Sequence, residues 1–194
     1  PPETMRSHSF FISHPDIFFE YLKKTLIYPD AKPNYAHIGL AKLEKMGKLK
    51  AVITQNIDNL HQLAGSRTVY ELHGTLYKNY CVKCHKKFDI KYVMESDGIP
   101  RCDKCGGIVR PDVVLYEEGL DGQTIYASIN AIEKADILIV GGTSLNVYPA
   151  AGLIDYYKGN NLVLINKSTT PYDRRANLII RESIGEVFKE MLDL

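Results

Sequence analysis

The sequence predicts an α/β protein: a doubly wound parallel sheet with a small helical and metal-binding module. Three observations lead to this fold class. Short β-branched runs alternate with helical patterns after Gly47, several predicted strands are apolar at every position, and four cysteines lie between the two α/β halves. Strands that are apolar throughout are typical of sheets covered by helices on both faces. A chain of 194 residues suffices for one main core and a satellite module.

Short amphipathic helices are predicted in the first thirty residues, because large apolar side chains recur at helical spacing from Phe10 to Leu22. Pro15 marks the first turn of one of these helices. Residues 30–34 break the pattern, and Tyr35 to Met46 predicts a longer helix that ends at Gly47.

The remaining elements alternate as a parallel α/β sheet requires. Predicted strands cover Ala51 to Thr54, Val69 to Leu72, Ile137 to Val140 and Leu162 to Ile165. Predicted helices cover Ile57 to Ala64, Thr124 to Glu133, Ala150 to Tyr157 and Ser183 to Leu194. We therefore divide the chain into a helical part of a small domain at 1–33, a Rossmann-like domain at 34–75 and 111–194, and a zinc-binding module at 76–110.

The composition argues against several classes of protein. The formal charge is +1, from 24 basic and 23 acidic residues, and no block of like charge provides a nucleic-acid footprint. The apolar runs are far shorter than the roughly 20 residues that cross a bilayer, and the first residues have no signal-peptide pattern. We expect a cytoplasmic protein with no membrane anchor and no direct nucleic-acid partner.

The cysteines form two pairs, Cys81-x-x-Cys84 and Cys102-x-x-Cys105, with 17 residues between the pairs. This spacing is typical of two turns that present four thiolates to one tetrahedral zinc ion. Four sulfur ligands leave no open position, so we expect one structural Zn²⁺ per chain. Redox-active pairs and disulfides are the alternatives, and we interpret His85 as a surface residue.

Polar residues follow four predicted strands at their carboxyl ends, the edge where open α/β sheets bind ligands. They are Gln55, Asn56 and Asp58 after the first strand, His73 after the second, Gly142 to Ser144 after the third, and Asn166 with Lys167 after the fourth. A small-residue turn can approach phosphates through its backbone N–H groups. Each pattern alone also occurs in proteins without ligands, and only their combination is specific.

In combination these motifs resemble the sirtuin family. The matching runs are Thr-Gln-Asn-Ile-Asp at 54–58, Leu-His-Gly at 72–74, the two cysteine pairs, Arg-Pro-Asp-Val-Val at 110–114 and Gly-Thr-Ser-Leu at 142–145. Their order matches as well, and the resemblance extends from Phe10 to the end. It implies an NAD-dependent protein-lysine deacylase that produces nicotinamide, O-acyl-ADP-ribose and deacylated lysine.

The resemblance also implies roles for individual residues. His73 corresponds to the general base, for which an imidazole that exchanges protons near neutral pH is suited. Asn56 and Asp58 complete the catalytic set. The implied contacts with NAD are Gln55, Asn56, Ile57, Asp58, Gly142, Thr143, Ser144, Asn166, Lys167 and Ile184.

An acylated-lysine peptide is the implied substrate, bound as an added strand through Val114, Tyr116, Asn146 and Val147 by main-chain hydrogen bonds. Tyr116-Glu117 stands where the family has phenylalanine and glycine, which makes the local turn uncertain. Asn59 replaces a usual glycine, a milder change because asparagine tolerates left-handed backbone. Leu22 and Thr25 occupy the positions that in the acidic-acyl branch hold tyrosine and arginine, which favours acetyl or other uncharged acyl groups.

Sirtuins begin with a strand, a glycine-rich turn and an arginine-bearing loop, and nothing before Phe10 matches these elements. We therefore expect the first strand of the family fold to be absent from this sequence. One alternative function is a catalytically inactive sirtuin fragment that keeps an acyl-peptide and zinc-binding scaffold. Another is a zinc-ribbon nucleic-acid binder, suggested only by Cys81 to Cys105 and the neighbouring lysines.

Overall fold

The computed structural model describes residues 2–194, which form two compact units. The first unit contains the chain up to Ala31 together with residues 56–59 and 73–120. The second contains residues 32–55, 60–72 and 121–194. Each unit is therefore assembled from segments that are distant in sequence.

The predicted helices and strands occur in the predicted order, together with further elements at residues 74–81, 87–95, 109–113 and 178–180 that were not predicted. The helices are α1 (Pro2–Met5), α2 (His8–Ser13), α3 (Pro15–Tyr21), a π-helix (Leu22–Leu26), α4 (Tyr35–Lys45), α5 (Leu60–Leu63), α6 (Ile90–Glu95), α7 (Gly122–Glu133), 3₁₀ helices at Ala150–Tyr156 and Asp173–Arg175, and α8 (Ile184–Leu192). The strands are β1 (Val52–Thr54), β2 (Val69–Glu71), β3 (Gly74–Cys81), β4 (Lys87–Asp89), β5 (Val109–Val113), β6 (Leu138–Gly141), β7 (Leu162–Ile165) and β8 (Leu178–Ile180).

The first unit packs short helices and an antiparallel sheet, in the order β4-β3-β5, around one core. Phe11, Phe18 and Phe19 are buried there in edge-to-face contacts, with ring centroids 5.1 to 6.2 Å apart. Pro15 occupies the first turn of α3, as predicted. Cys81 and Cys102 belong to the same buried cluster, so the helices and the cysteine-bearing segment share a core.

The second unit contains two parallel sheets with the orders β1-β2 and β6-β7-β8. Leu72, Ile132 and Leu164 are buried in the cluster that covers these strands. Helix α4 packs closely on α8. A Cβ on Gly39 would lie only 2.7 Å from the Phe188 ring, so the absence of a side chain at Gly39 allows this approach. Parallel strands covered by helices confirm the predicted α/β class.

Strand β6 is less buried than its sequence predicts. Ile139 is 38% exposed and Ile137, just before the strand, is 58% exposed, so the prediction of an apolar run buried on both faces is wrong here. Among residues 2–194, no strand pairs with the second edge of β1 or of β6.

The helix predicted over residues 57–64 begins later than expected, at Leu60. Asn59 has a left-handed backbone, with φ of 61°, and a residue in this conformation cannot continue a right-handed helix. The segment 56–59 is consequently a loop, and it belongs to the first unit whereas α5 belongs to the second.

Gly74 provides a test of how closely β3 and β5 approach. Its φ is +72°, and a Cβ there would lie 1.9 Å from the backbone oxygen of Asp112. We expect Gly74→Ala to lower the free energy of unfolding by about 3 kcal/mol, because β5 must move or both strands must strain.

The control is Gly47→Ala, where φ is +73° but no atom lies within 4 Å; we expect a loss of about 1 kcal/mol from backbone strain alone. Urea unfolding followed by circular dichroism measures both variants. Equal losses would show that the close contact with Asp112 contributes nothing.

Candidate functional site

The four cysteines meet as a metal site requires. The Sγ atoms of Cys81 and Cys105 are 3.4 Å apart, those of Cys84 and Cys102 are 3.6 Å apart, and all four lie within 4.8 Å of one another. A tetrahedral ZnS₄ centre with bonds of about 2.3 Å has sulfur–sulfur edges of about 3.8 Å. The distances fit such a centre, and they are too long for disulfides, whose S–S bond is about 2.05 Å.

Each cysteine pair lies on a tight turn with the same backbone design. The residue after the second cysteine is left-handed in both turns: His85 has φ of 57° and Gly106 has φ of 71°. A Cβ on Gly107 would lie 2.8 Å from the Cys81 sulfur. Gly106 therefore provides the left-handed backbone, and Gly107 leaves space for the sulfur. The exposed His85 is outside the four-sulfur set, as predicted.

Backbone amides also favour the thiolate form of Cys81. Burial opposes ionisation of this thiol, whereas the N–H groups of Cys84 and Lys83 donate to its sulfur at 3.5 and 3.4 Å. Together with hydrogen bonds from the thiols of Cys105 and Cys84, these N–H groups lower the pKa of Cys81 to about 6. Because metals bind cysteine as the thiolate, this turn favours the form of Cys81 that binds a metal ion.

In the second unit, the carboxyl ends of the parallel strands bring predicted ligand-binding residues together. Gln55, just after β1, donates from Nε2 to Oγ1 of Thr143 at 3.4 Å, just after β6. Gly142 has φ of +64° with open space around it, and its N–H donates to the backbone oxygen of Ile165 at 3.1 Å. Residues 55 and 142–143 thus lie at one edge, and Ser144 is exposed beside them.

The carboxyl end of β7 and the start of α8 lie at the same edge of the sheet. Gly141 pairs with Ile165, and a Cβ on Gly141 would lie 2.4 Å from Cδ1 of Ile184. Asn166 follows β7, half-buried, and donates from Nδ2 to the backbone oxygen of Ser168 at 3.0 Å. Lys167 is exposed next to it. A side chain at residue 141 would require the Ile184 side chain to shift.

In the first unit, the segment 56–59 and His73 flank the start of β3. Asn56 donates to a carboxylate oxygen of Asp58 at 3.3 Å, and the oxygen of Ile57 accepts from the N–H of Leu76 at 3.1 Å. The backbone oxygen of His73 accepts from the N–H of Val114 at 3.0 Å. His73 is therefore adjacent in the structure to the segment in which we predicted substrate binding.

That segment is held on its other side by the start of the chain. Tyr116 N–H donates to Arg6 oxygen, and His8 N–H donates to Tyr116 oxygen, both at 3.0 Å. The Tyr116 side chain is half-exposed. Asn146 and Val147, the other predicted substrate residues, lie in the second unit and are exposed.

Two residues with an important structural role received no role from the sequence. Arg110 is buried and donates to both carboxylate oxygens of Glu118, at 2.6 and 3.1 Å. Glu118 also accepts from the N–H of Leu115 at 2.9 Å and from Nδ1 of His8 at 2.8 Å. An arginine between apolar Val109 and Pro111 was the available signal, because a buried guanidinium needs a carboxylate partner.

The ionised form of Glu118 is strongly favoured. Partial burial opposes its charge, but the hydrogen bonds from Arg110, Leu115 N–H and His8 outweigh that effect and lower its pKa to about 2. The ion pair between Arg110 and Glu118 thus persists over the whole range of pH in which the protein is expected to work.

Comparisons with known proteins identify the family. The model of the Sir2 family matches residues 1–149. An NAD-dependent protein deacetylase of Clostridium acetobutylicum is 62% identical over 193 residues, which cover 99% of this chain and 79% of that protein. The chain belongs to the Sir2 family. This sirtuin chain also resembles two solved structures. It matches a structure of Sir2 with a p53 peptide and NAD+ at a TM-score of 0.89 and 41% identity, over 96% of this chain and 80% of that one. It matches Sir2Tm bound to a propionylated peptide at a TM-score of 0.90 and 40% identity, over 99% of this chain and 84% of that one.

The sirtuin fold neighbours confirm the predicted fold, and the family assignment confirms the resemblance found in the sequence. In residues 2–194, no helix combines the length and the apolar character that crossing a bilayer demands. The individual ligand-binding and catalytic assignments stay predictions.

The zinc site gives a direct prediction. We expect one zinc ion per chain by elemental analysis, and loss of zinc together with a lower melting temperature in Cys105→Ser, because three sulfurs no longer close the tetrahedron. Val82→Ser is the matched control, since Val82 lies between two ligands but is exposed. Full zinc content in Cys105→Ser would contradict the assignment.

Proposed function

We propose that this protein is an NAD-dependent protein-lysine deacylase that converts NAD, water and an acylated-lysine peptide to nicotinamide, O-acyl-ADP-ribose and the deacylated peptide. The observation that carries the proposal is the hydrogen bond of 3.0 Å between His73 and Val114. It joins the backbone of the proposed general base to the backbone of the proposed substrate segment. Two relatives that are each 62% identical to this chain are named NAD-dependent protein deacetylases.

We assign the NAD contacts to the following residues: Gln55, Asn56, Ile57, Asp58, Gly142, Thr143, Ser144, Asn166, Lys167 and Ile184. The left-handed Gly142 exposes backbone without a side chain, which suits a phosphate group. The amides of Gln55 and Asn166 suit ribose hydroxyl groups. NAD supplies the ribose carbon that receives the acyl oxygen when nicotinamide leaves.

His73 would accept a proton from a ribose hydroxyl group, with Asn56 and Asp58 orienting the reacting groups. The backbone position of His73 is fixed through Val114, so little reorganisation is needed before proton transfer. The four-cysteine zinc site has no open coordination position and would stabilise the first unit rather than take part in the reaction.

We assign binding of the peptide, as an added strand held by main-chain hydrogen bonds, to Val114, Tyr116, Asn146 and Val147. Acetyl or another uncharged acyl group suits this chain, because Leu22 is buried and apolar and neither it nor Thr25 supplies a charge.

Four thiols held for a metal are compatible with a reducing compartment, and we propose a cytoplasmic location on that basis.

The inactive-fragment alternative is not favoured. The residues proposed for chemistry, including His73, Asn56 and Asp58, match the family's motifs. The nucleic-acid alternative has no support beyond the zinc turns themselves, because the formal charge is only +1.

His73→Ala tests the function in protein expressed from the complete gene. We expect deacylation of an acetyl-lysine peptide to fall about 10²- to 10⁴-fold, the usual contribution of a general base. Folding should be preserved, because the bond to Val114 uses the backbone oxygen of residue 73. Chromatography of the peptide measures the rate.

The control is His14→Ala, which changes an exposed histidine stacked on Phe10 and should leave the rate unchanged. A His73→Ala protein with wild-type turnover would overturn the assignment of the base.

A further inference from the structure

Glu117 has an unfavourable backbone conformation in the segment proposed to bind substrate. Its φ is 78°, in the left-handed region that disfavours side chains with a Cβ. Glycine is the residue that usually adopts such a turn without strain. A glutamate here therefore requires a compensating interaction.

The carboxylate of Glu117 makes that interaction. Its Oε2 accepts from the backbone N–H of Ser9 at 2.9 Å, and its Oε1 accepts from the Ser9 hydroxyl group, also at 2.9 Å. Ser9 is the second residue of α2. Its N–H is in the first helical turn, where amides have no acceptor within the helix, so the carboxylate satisfies a donor that α2 cannot satisfy itself.

The two acidic residues of the segment have different partners. Glu118 is bound to Arg110 and to Leu115 N–H, whereas Glu117 is bound to Ser9. Tyr116 lies directly before them, with its backbone paired to Arg6 and His8. The direction in which the chain leaves Tyr116 thus depends on the left-handed turn at Glu117 and on its contact with α2.

We propose that Glu117 is a positioning residue for the acyl-peptide substrate: its bridge to Ser9 fixes the turn that orients the backbone of Val114 to Tyr116. This inference rests on the proposed deacylase function. Glycine at the same position would adopt the turn more easily but would leave the segment free to take other conformations, because it has no contact with α2.

Glu117→Gly tests the bridge without forbidding the turn. We expect KM for an acetyl-lysine peptide to rise about tenfold, as is typical when a charge-assisted pair of hydrogen bonds is lost. The kcat and the KM for NAD should stay near wild type, because the variant changes no group proposed to contact NAD. Glu117→Gln keeps one acceptor and should give an intermediate KM.

Ser9→Ala removes one of the two bonds and should raise the peptide KM less than Glu117→Gly does. The double variant should be no worse than Glu117→Gly alone, because both changes act on one interaction. The control is Glu20→Gln, an exposed glutamate paired with Lys24, which should behave as wild type.

Amide hydrogen exchange gives a readout that does not depend on activity. In Glu117→Gly the N–H of Ser9 should exchange faster, whereas the N–H of Phe11, bonded to Ser7 oxygen at 3.0 Å, should keep its protection. A wild-type protein without turnover would contradict the deacylase function while leaving the bridge testable by exchange. An unchanged peptide KM in an active Glu117→Gly protein, or parallel losses in kcat and both KM values, would overturn the positioning role.

Discussion

The ion pair between Arg110 and Glu118 is the constraint on which the first unit depends. Arg110 lies at the end of the cysteine-bearing segment, in β5, and its guanidinium is buried over the Phe11 ring at 5.2 Å. Glu118 gathers Arg110, His8 and the backbone of Leu115 around one carboxylate. Removing one partner of a buried pair leaves an uncompensated charge, which typically costs about 3–5 kcal/mol. The pair therefore connects β5, the helices and the proposed substrate segment.

The zinc site provides the second constraint on the same unit. Residues 76–110 contain most of β3, all of β4, the start of β5 and one helix of six residues, too little to enclose a core of their own. Their buried residues, including Val93 and Val109, complete a cluster with the phenylalanines of α2 and α3. A closed four-sulfur centre can hold such a segment in shape because metal binding and folding are coupled. The geometry of β5, and with it the position of Arg110, follows from that shape.

Local chemical signals made much of this architecture predictable. The cysteine spacing specified the metal site, and the β-branched runs located β7 at its exact bounds, Leu162–Ile165. The exposure of Ile139 was not predictable from its apolar run, since it depends on which strands are present as neighbours. The left-handed backbone at Glu117 was not predictable from the sequence either. Its compensation comes from Ser9, 108 residues earlier in the chain, and a sequence pattern contains no such long-range contact.

For the polar residues at the strand ends, the sequence predicted the position but not the role. Placing Gln55, Gly142 and Asn166 at one edge needed only the rule that parallel strands end together, and the contacts of Gln55 with Thr143 and of Gly141 with Ile184 agree with it. Their roles toward NAD rest on family membership and remain proposals. Arg110 lies between two apolar residues, which is a signal of a buried arginine, but its partner Glu118 could be identified only from the structure.

The most direct test of the proposed function is the product balance of the protein expressed from its complete gene, measured by mass spectrometry with NAD and an acetyl-lysine peptide. We expect equal amounts of nicotinamide, O-acetyl-ADP-ribose and deacetylated peptide, because the acyl group moves to the ribose. Free acetate and deacetylated peptide formed while NAD stays intact would contradict it, as would a peptide that keeps its acetyl group.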